Sequence, residues 1–173
     1  MEWWRTDDDD VWNHCQKRYV KTKSLGRGTF SKVILAEPFD QTETCQSSLL
    51  PELLAIKVVN LDATDDAPAN RITSSARREL DILKKINHPS ITRLLAYKEL
   101  PDKFLFGLQF SKGGDLFDFA SKHRDLLTPT LVKKIFRELA LAVQYLHESM
   151  HVVHRDLKLE SLSPLLMKGA ADK

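Results

Sequence analysis

The stretch His154-Arg155-Asp156-Leu157-Lys158-Leu159-Glu160 follows two valines in the 173-residue chain. Its aspartate could accept a proton from a hydroxyl group, and its lysine, two residues later, could neutralise a phosphate. A solvated charged loop is the alternative interpretation. We favour phosphoryl chemistry, because the stretch lies at the end of a predicted long amphipathic helix.

Three helices are predicted from the spacing of apolar residues. The longest begins at Thr128-Pro129, because threonine is a good N-cap and proline is favoured in the first turn. A second covers residues 73–86 and ends at Asn87-His88-Pro89, and a short one follows Gly113-Gly114-Asp115 through Ala120. The apolar stripe of the longest helix is Leu131, Ile135, Leu139, Val143 and Leu146.

Five strands are predicted from short apolar or alternating runs. A glycine turn at residues 26–30 separates the first two strands. Residues 37–52 are predicted to form a loop and residues 62–71 a turn, because both segments are polar and lack periodicity. The strands cover residues 19–25, 31–36, 53–61, 91–97 and 104–110.

Two of these segments carry residues suited to binding a phosphate. Gly26 and Gly28 would let backbone amides approach phosphate oxygens, although a hairpin without function is the alternative. Lys57 lies in an apolar strand, where a cation is costly unless it is paired. Glu79, on the inward side of the following helix, is its candidate partner. The alternatives are a lysine that reaches water from an edge strand and an ordinary surface glutamate.

Composition excludes several classes of protein. The hydrophobic fraction of 42% and the charged fraction of 29% predict one globular domain, and a net charge of +2 does not favour nucleic acid or membrane as a partner. Cys15 and Cys45 predict two free thiols in a reducing compartment. The acidic run at residues 7–10 is unlike a secretory leader, so we expect an intracellular protein, cytoplasmic or nuclear.

Taken together, these residues resemble the eukaryotic protein kinase family. Lys158 is typical of its serine/threonine type. The sequence around Gly113 and around His154 is most similar to the calcium/calmodulin- and AMP-activated-kinase-like branch. The matching segments, in chain order, are the glycine-rich loop at residues 26–33, the lysine strand at 54–57, the helix glutamate at 78–80, residues 88–91, residues 113–118 and the catalytic loop at 154–160.

The resemblance implies an α+β fold of the bilobal kinase type. The small lobe, residues 19–110, would be complete, with a five-stranded antiparallel sheet and one helix. Residues 111–161 would form the first part of the helical large lobe, through the catalytic loop. Residues 1–18 would be an N-terminal extension and residues 162–173 an aberrant C-terminal tail.

The resemblance also implies ATP as the phosphoryl donor, with Mg²⁺. Lys57 would hold the α- and β-phosphates and be oriented by Glu79, Asp156 would accept or orient the substrate hydroxyl, and Lys158 would offset charge on the transferred group. The implied ATP-binding residues are Leu25, Gly26, Arg27, Gly28, Thr29, Phe30, Val33, Ala55, Lys57, Leu108, Gln109, Ser111 and Asp115.

The match to the family ends after Glu160. Ser161 stands where the family has an asparagine that binds magnesium, and it is a shorter and weaker ligand. Ser163 replaces a large apolar residue, and Asp-Phe-Gly does not occur in the sequence. We therefore expect a serine/threonine kinase domain truncated after the catalytic loop, weakly active or inactive as this chain.

Several alternatives stay open at this point. The tail from Ser161 could be out-of-frame sequence or part of a genuine short form. The chain could be a non-catalytic, pseudokinase-like module that binds nucleotide or protein, or a fragment that does not fold stably. The expected partners are a protein substrate, with basic residues that Asp115 and Glu160 would select, and a regulatory protein.

Overall fold

The computed structural model describes residues 11–14, 17–38, 53–61 and 69–163. Several predictions lie outside the described residues. They concern the first ten residues of the extension, most of the predicted loop at residues 37–52, residues 62–68 of the predicted turn, the two cysteines, and the tail from residue 164 onward.

Six strands form one antiparallel sheet in the order β1-β2-β3-β4-β6-β5. The predicted fold class is confirmed, and all five predicted strands are present. The sixth, β1, pairs backbone to backbone with the start of β2, and four residues are too few to give an alternating pattern in the sequence. The strands are β1 Val11–His14, β2 Lys17–Arg27, β3 Ser31–Pro38, β4 Leu54–Asn60, β5 Leu94–Glu99 and β6 Lys103–Gln109.

Several strand boundaries differ from the prediction, and two of the differences have a visible local cause. β2 continues through Gly26 to Arg27, past two register shifts against β3, which narrows the glycine turn to residues 28–30. β5 begins at Leu94, three residues later than predicted, because the amide of Ile91 donates to the carbonyl of His88 (3.1 Å) and closes a turn.

The described residues also form three α-helices: α1 Ala69–Lys85, α2 Leu116–Lys122 and α3 Pro129–Gln144. α1 starts four residues before the prediction, since Asn70 and Arg71 give no apolar signal and Ile72 is its first buried residue. The predicted cap of α3 is present, because Thr128 Oγ1 accepts from the amide of Leu131 (3.3 Å). One π-helical turn, Tyr145–Ser149, continues α3.

Apolar residues on the two faces of the sheet form separate clusters. Along β4, alternate side chains point to opposite faces, so Ile56 and Val58 join one cluster and Val59 joins the other. α1 covers the second face through Ile72, Ala76 and Leu80. The first cluster comprises Tyr19, Ile34, Ala36, Leu54, Ile56, Val58, Ala96 and Leu105, and the second comprises Val59, Leu61, Ile72, Ala76, Leu80, Phe104 and Phe106.

The chain divides into two compact units, residues 1–84 with 93–110 and residues 85–92 with 111–173. The first holds the sheet and nearly all of α1. In the second, the buried cluster is Leu116 and Ile135, and Phe136 on α3 is 65% exposed. No helix in the described part of the chain is long and apolar enough to cross a membrane.

We expect limited proteolysis to cleave the second unit before the first. Local stability follows buried apolar contact, and the cluster of the second unit is small. Mass spectrometry of the earliest fragments measures the order of cleavage. Early cuts within β4 or β6, with α3 intact, would contradict this expectation. Leu80→Ala should remove this difference in cleavage order. Truncation of a buried leucine lowers stability by about 2–5 kcal/mol, so the first unit should become as easily cleaved as the second.

Because Lys98 in β5 is partly buried, we expect the free energy of unfolding to depend on pH in the alkaline range. Desolvation lowers the pKa of this lysine from 10.5 to about 8. Between these values the unfolded chain binds more protons than the folded chain, so the free energy of unfolding should rise with pH across this window. Denaturant titrations should show this rise for the wild type and lose it in Lys98→Met. The exposed Lys112→Met is the control and should keep the rise.

Candidate active site

Lys57 and Glu79 are in direct contact. The Nζ atom of Lys57 donates to both carboxylate oxygens of Glu79, at 2.6 and 2.8 Å. The side chains are 25% and 38% exposed, so water reaches the pair. The lysine predicted to need a partner thus has one, and both oxygens of the carboxylate hold its ammonium group in place.

The sheet and the helix fix the positions of this pair. β4 is bonded on both sides, with Lys57 opposite Val33 of β3 and opposite Phe106 of β6. Glu79 follows the buried face of α1, next to Leu80, whose side chain is 1% exposed. Packing of α1 on the sheet therefore brings the carboxylate to the lysine.

Several predicted ATP-binding residues share one face of the sheet. Residues directly opposite each other in an antiparallel pair point to the same side. Val33 lies opposite Lys57, and Ala55 lies opposite Leu108, so these four residues are on the face that α1 covers in part. Leu25 on β2 is exposed, and Gln109 is the last residue of β6.

The glycine turn is closed by a hydrogen bond from the amide of Gly28 to the carbonyl of Ser31 (2.7 Å), and Thr29 and Phe30 form its tip. A Cβ atom on Gly28 would lie 3.0 Å from Ser31 Oγ, whereas one on Gly26 would meet nothing within 4 Å. A side chain at the second glycine would therefore crowd the Ser31 hydroxyl, which would have to move slightly.

A cavity of about 390 Å³ lies between the glycine turn and α1. Lys57 and Glu79 line it, together with Thr29 and Ser31 of the turn. Arg71 and Ser75 of α1 line it as well, and the sequence analysis missed them. They precede Glu79 by eight and four residues. This spacing could have identified them, because residues four apart lie on the same face of a helix.

In the second unit, Asp156 and Lys158 are paired with each other. Lys158 Nζ lies 3.1 Å from Asp156 Oδ2, and the side chain of Asp156 is 72% exposed. The amide of Asp156 donates to His154 Nδ1 at 3.3 Å. Arg155 has a φ of 67°, a left-handed conformation in which non-glycine residues are strained. The predicted base and the phosphate lysine thus lie side by side on a constrained loop.

Ser161 supports this loop. Its Oγ donates to the carbonyl of Asp156 (2.9 Å), and its amide donates to the carbonyl of Lys158 (2.9 Å). Leu162 then accepts from the amide of Leu116 (2.9 Å) and packs beside Leu116 and Ile135. The two described residues of the predicted aberrant tail, Leu162 and Ser163, are therefore attached to the rest of the second unit.

Two further predicted residues have local structural partners. Asp115 caps α2, because its Oδ1 accepts from the amide of Asp118 (2.7 Å). The hydroxyl of Ser111 is hydrogen-bonded to that of Ser163. Within the described ranges, no group of three histidine, cysteine, aspartate or glutamate residues could hold a metal ion. The described residues do not fit a protein-held Mg²⁺ site, because the predicted ligand Ser161 offers a neutral hydroxyl oxygen, which is a weak ligand for this cation.

Comparison with known proteins agrees with the resemblance. Residues 19–166 match the protein kinase domain family model. The chain is 33% identical to human SNF-related serine/threonine-protein kinase over 144 residues, which are 83% of this chain and 17% of that protein. It is 34% identical to CBL-interacting serine/threonine-protein kinase 5 of Arabidopsis thaliana over 145 residues, 84% of this chain and 29% of that protein.

A third relative and a solved structure extend the comparison. Human NUAK family SNF1-like kinase 2 is 33% identical over 150 residues, 87% of this chain and 22% of that protein. A crystal structure of Rad53 1–466 in complex with AMP-PNP matches with a TM-score of 0.62 and 28% identity, over 82% of this chain and 33% of that chain. The chain thus spans less than a third of the length of these curated relatives.

The family model covers most of the chain, and the predicted family, serine/threonine type and AMP-activated-kinase-like branch are confirmed by these relatives. The chain belongs to the protein kinase family.

Proposed function

We propose that this chain binds ATP and takes part in transfer of its γ-phosphoryl group to serine or threonine residues of proteins. The observation that carries the proposal is the contact of Lys57 with both oxygens of Glu79. A lysine oriented in this way is suited to the α- and β-phosphates, because phosphoryl transfer depends mostly on positioning and on neutralisation of charge.

Asp156 and Lys158 would act on the other reactant. The carboxylate of Asp156 would accept or orient the substrate hydroxyl, and Lys158, 3.1 Å away, would offset charge on the transferred phosphoryl group. Mg²⁺ would enter as the metal complex of ATP and neutralise phosphate charge there. Since the described residues do not fit a protein-held metal, no step assigned to them depends on one.

We propose that nucleotide binding is retained in the 173-residue chain and that turnover is weak or absent. Ser161 donates to the carbonyl of Asp156 and replaces the asparagine that the family uses for metal binding. This substitution favours a second candidate function, a non-catalytic module that binds nucleotide and regulates a protein partner.

The remaining parts of the proposal concern boundaries, substrate and location. Residues 19–110 would form the small lobe and residues 111–161 the start of the large lobe. The substrate would be a protein with basic residues near the modified hydroxyl. Glu160 is exposed and suited to select them, whereas Asp115 already caps α2. We propose the cytoplasm or nucleus as the place of action, since ATP and protein substrates meet there.

A thermal-shift titration with ADP and ATP, with and without Mg²⁺, tests nucleotide binding. A ligand that binds only the folded chain raises the melting temperature, so the wild type should show an increase that Lys57→Met loses. A phosphoryl-transfer assay beside it should detect little turnover. A shift in the absence of turnover favours the regulatory module, and no shift with either nucleotide overturns both candidate functions. Turnover that Asp156→Asn abolishes would contradict weak activity.

Removal of the partner of Lys57 should weaken nucleotide binding. Glu79→Gln keeps the shape of the side chain but loses its charge, so Lys57 is oriented less well. We expect a loss of affinity on the order of tenfold, the usual worth of a hydrogen bond to a charged group. Isothermal titration with ADP measures it. The matched control is Asp81→Asn, the same chemical change at an exposed carboxylate of α1, and it should leave the affinity unchanged. Equal effects of the two variants would contradict the role of Glu79.

A further inference from the structure

Ser75 lies in the cavity that contains Lys57 and Glu79, and the proposed function assigns it no role. Its side chain is exposed and, with Arg71, it lines this cavity from α1. The neighbouring Ser74 differs from Ser75 in its position and in the hydrogen bond of its hydroxyl group. Ser74 does not line the cavity, and its Oγ donates to the carbonyl of Asn70 (2.7 Å).

Arg71, Ser75 and Glu79 form one row along α1. Residues four apart on a helix have Cβ atoms roughly 5–6 Å from each other, so Ser75 lies between an arginine one turn before it and a glutamate one turn after it. Lys57 contacts the far end of this row through Glu79. A negative group on Ser75 would therefore share one cavity with two cations and one carboxylate.

We propose that Ser75 is a phosphorylation site and that its phosphorylation separates Lys57 from Glu79. The inference rests on the proposed function, because it regulates the lysine assigned to the nucleotide. The modifying enzyme would be an arginine-directed protein kinase, since Arg71, Arg77 and Arg78 flank both serines. The position of Ser75 in the cavity is what distinguishes it from Ser74.

The chemical step is an ordinary phosphoryl transfer. The bond between the γ-phosphorus of ATP and the β–γ bridging oxygen breaks, and a bond from Ser75 Oγ to that phosphorus forms. ADP leaves, and the hydroxyl proton passes to the base of the modifying enzyme. The product carries a charge of about −1.5 to −2 and three strong acceptor oxygens.

Electrostatics determine the effect of this phosphate on the pair. Arg71 and Lys57 attract it, whereas Glu79, one turn away, is repelled by it. Both side chains of the Lys57–Glu79 pair are partly exposed to water. The ammonium group can therefore exchange the carboxylate for a phosphate without passing through an apolar interior. The phosphate would take Lys57 and displace the carboxylate, which leaves the lysine poorly placed for a nucleotide.

The first arm of the test asks whether Ser75 can be modified. The 173-residue chain is incubated with ATP and an arginine-directed serine kinase, and mass spectrometry locates the phosphate. We expect phosphate at Ser75 and its loss in Ser75→Ala. Absence of phosphate at Ser75 in the folded wild-type chain would overturn the assignment of the site.

The second arm measures the ion pair without any nucleotide. Lys57→Met, Glu79→Gln and the double variant form a cycle in which unfolding equilibria report the coupling between the two residues. A pair of this exposure should give a coupling of about twofold to fivefold in the unmodified chain. Phosphoserine placed genetically at position 75 should bring the coupling to unity, whereas phosphoserine at position 74 should not.

The outcomes separate this inference from the proposed function. A coupling that persists with phosphoserine at position 75, or that disappears equally with phosphoserine at position 74, overturns the inference. ADP affinity should fall about tenfold with phosphoserine at position 75, in line with loss of one charged hydrogen bond. If the unmodified chain binds no ADP, the proposed function fails, while the unfolding cycle still decides what phosphate does to the pair.

Discussion

The packing of α1 on the sheet is the constraint on which the contact between Lys57 and Glu79 depends. Lys57 lies in an interior strand and is partly withdrawn from water, so its ammonium group is stabilised by a partner. The carboxylate reaches it only when α1 turns Ala76 and Leu80 into the cluster beneath the sheet, where both are almost fully buried. The rotation of α1 that buries its apolar stripe is thus the rotation that completes the ion pair, so packing and charge specify the same arrangement.

The second unit is organised in a different way. Its buried cluster is small, and the loop around Asp156 is held by local hydrogen bonds from Ser161 and by the neighbouring Lys158. Arg155 accepts a strained φ angle within this loop. Short-range bonds of this kind hold the backbone of the loop without much burial and leave the Asp156 carboxylate exposed, as its proposed role requires.

The sequence predicted those parts of the fold in which an apolar pattern occurs together with a charged residue that requires a partner. β4 and α1 were found because a continuous apolar run and a stripe at spacings of three and four are strong signals, and Lys57 required a partner between them. β1 was missed because it is stabilised by backbone pairing with β2, which leaves no side-chain pattern in four residues. The hydrogen bond from the Ser161 hydroxyl to the carbonyl of Asp156 was not predictable, since it depends on backbone angles within the loop.

Ser161 keeps one property of an asparagine at this position, a hydrogen-bond donor, and weakens another, the oxygen that could bind a metal. An asparagine offers an amide donor and a carbonyl oxygen, so it can hold a backbone carbonyl and bind a metal at the same time. A serine has one hydroxyl, and here its proton is donated to the carbonyl of Asp156. The oxygen that remains is a neutral and weak ligand for a hard cation. Ser161 therefore holds the Asp156 carbonyl and offers a hard cation a weak ligand, which is one ground for proposing nucleotide binding with weak phosphoryl transfer.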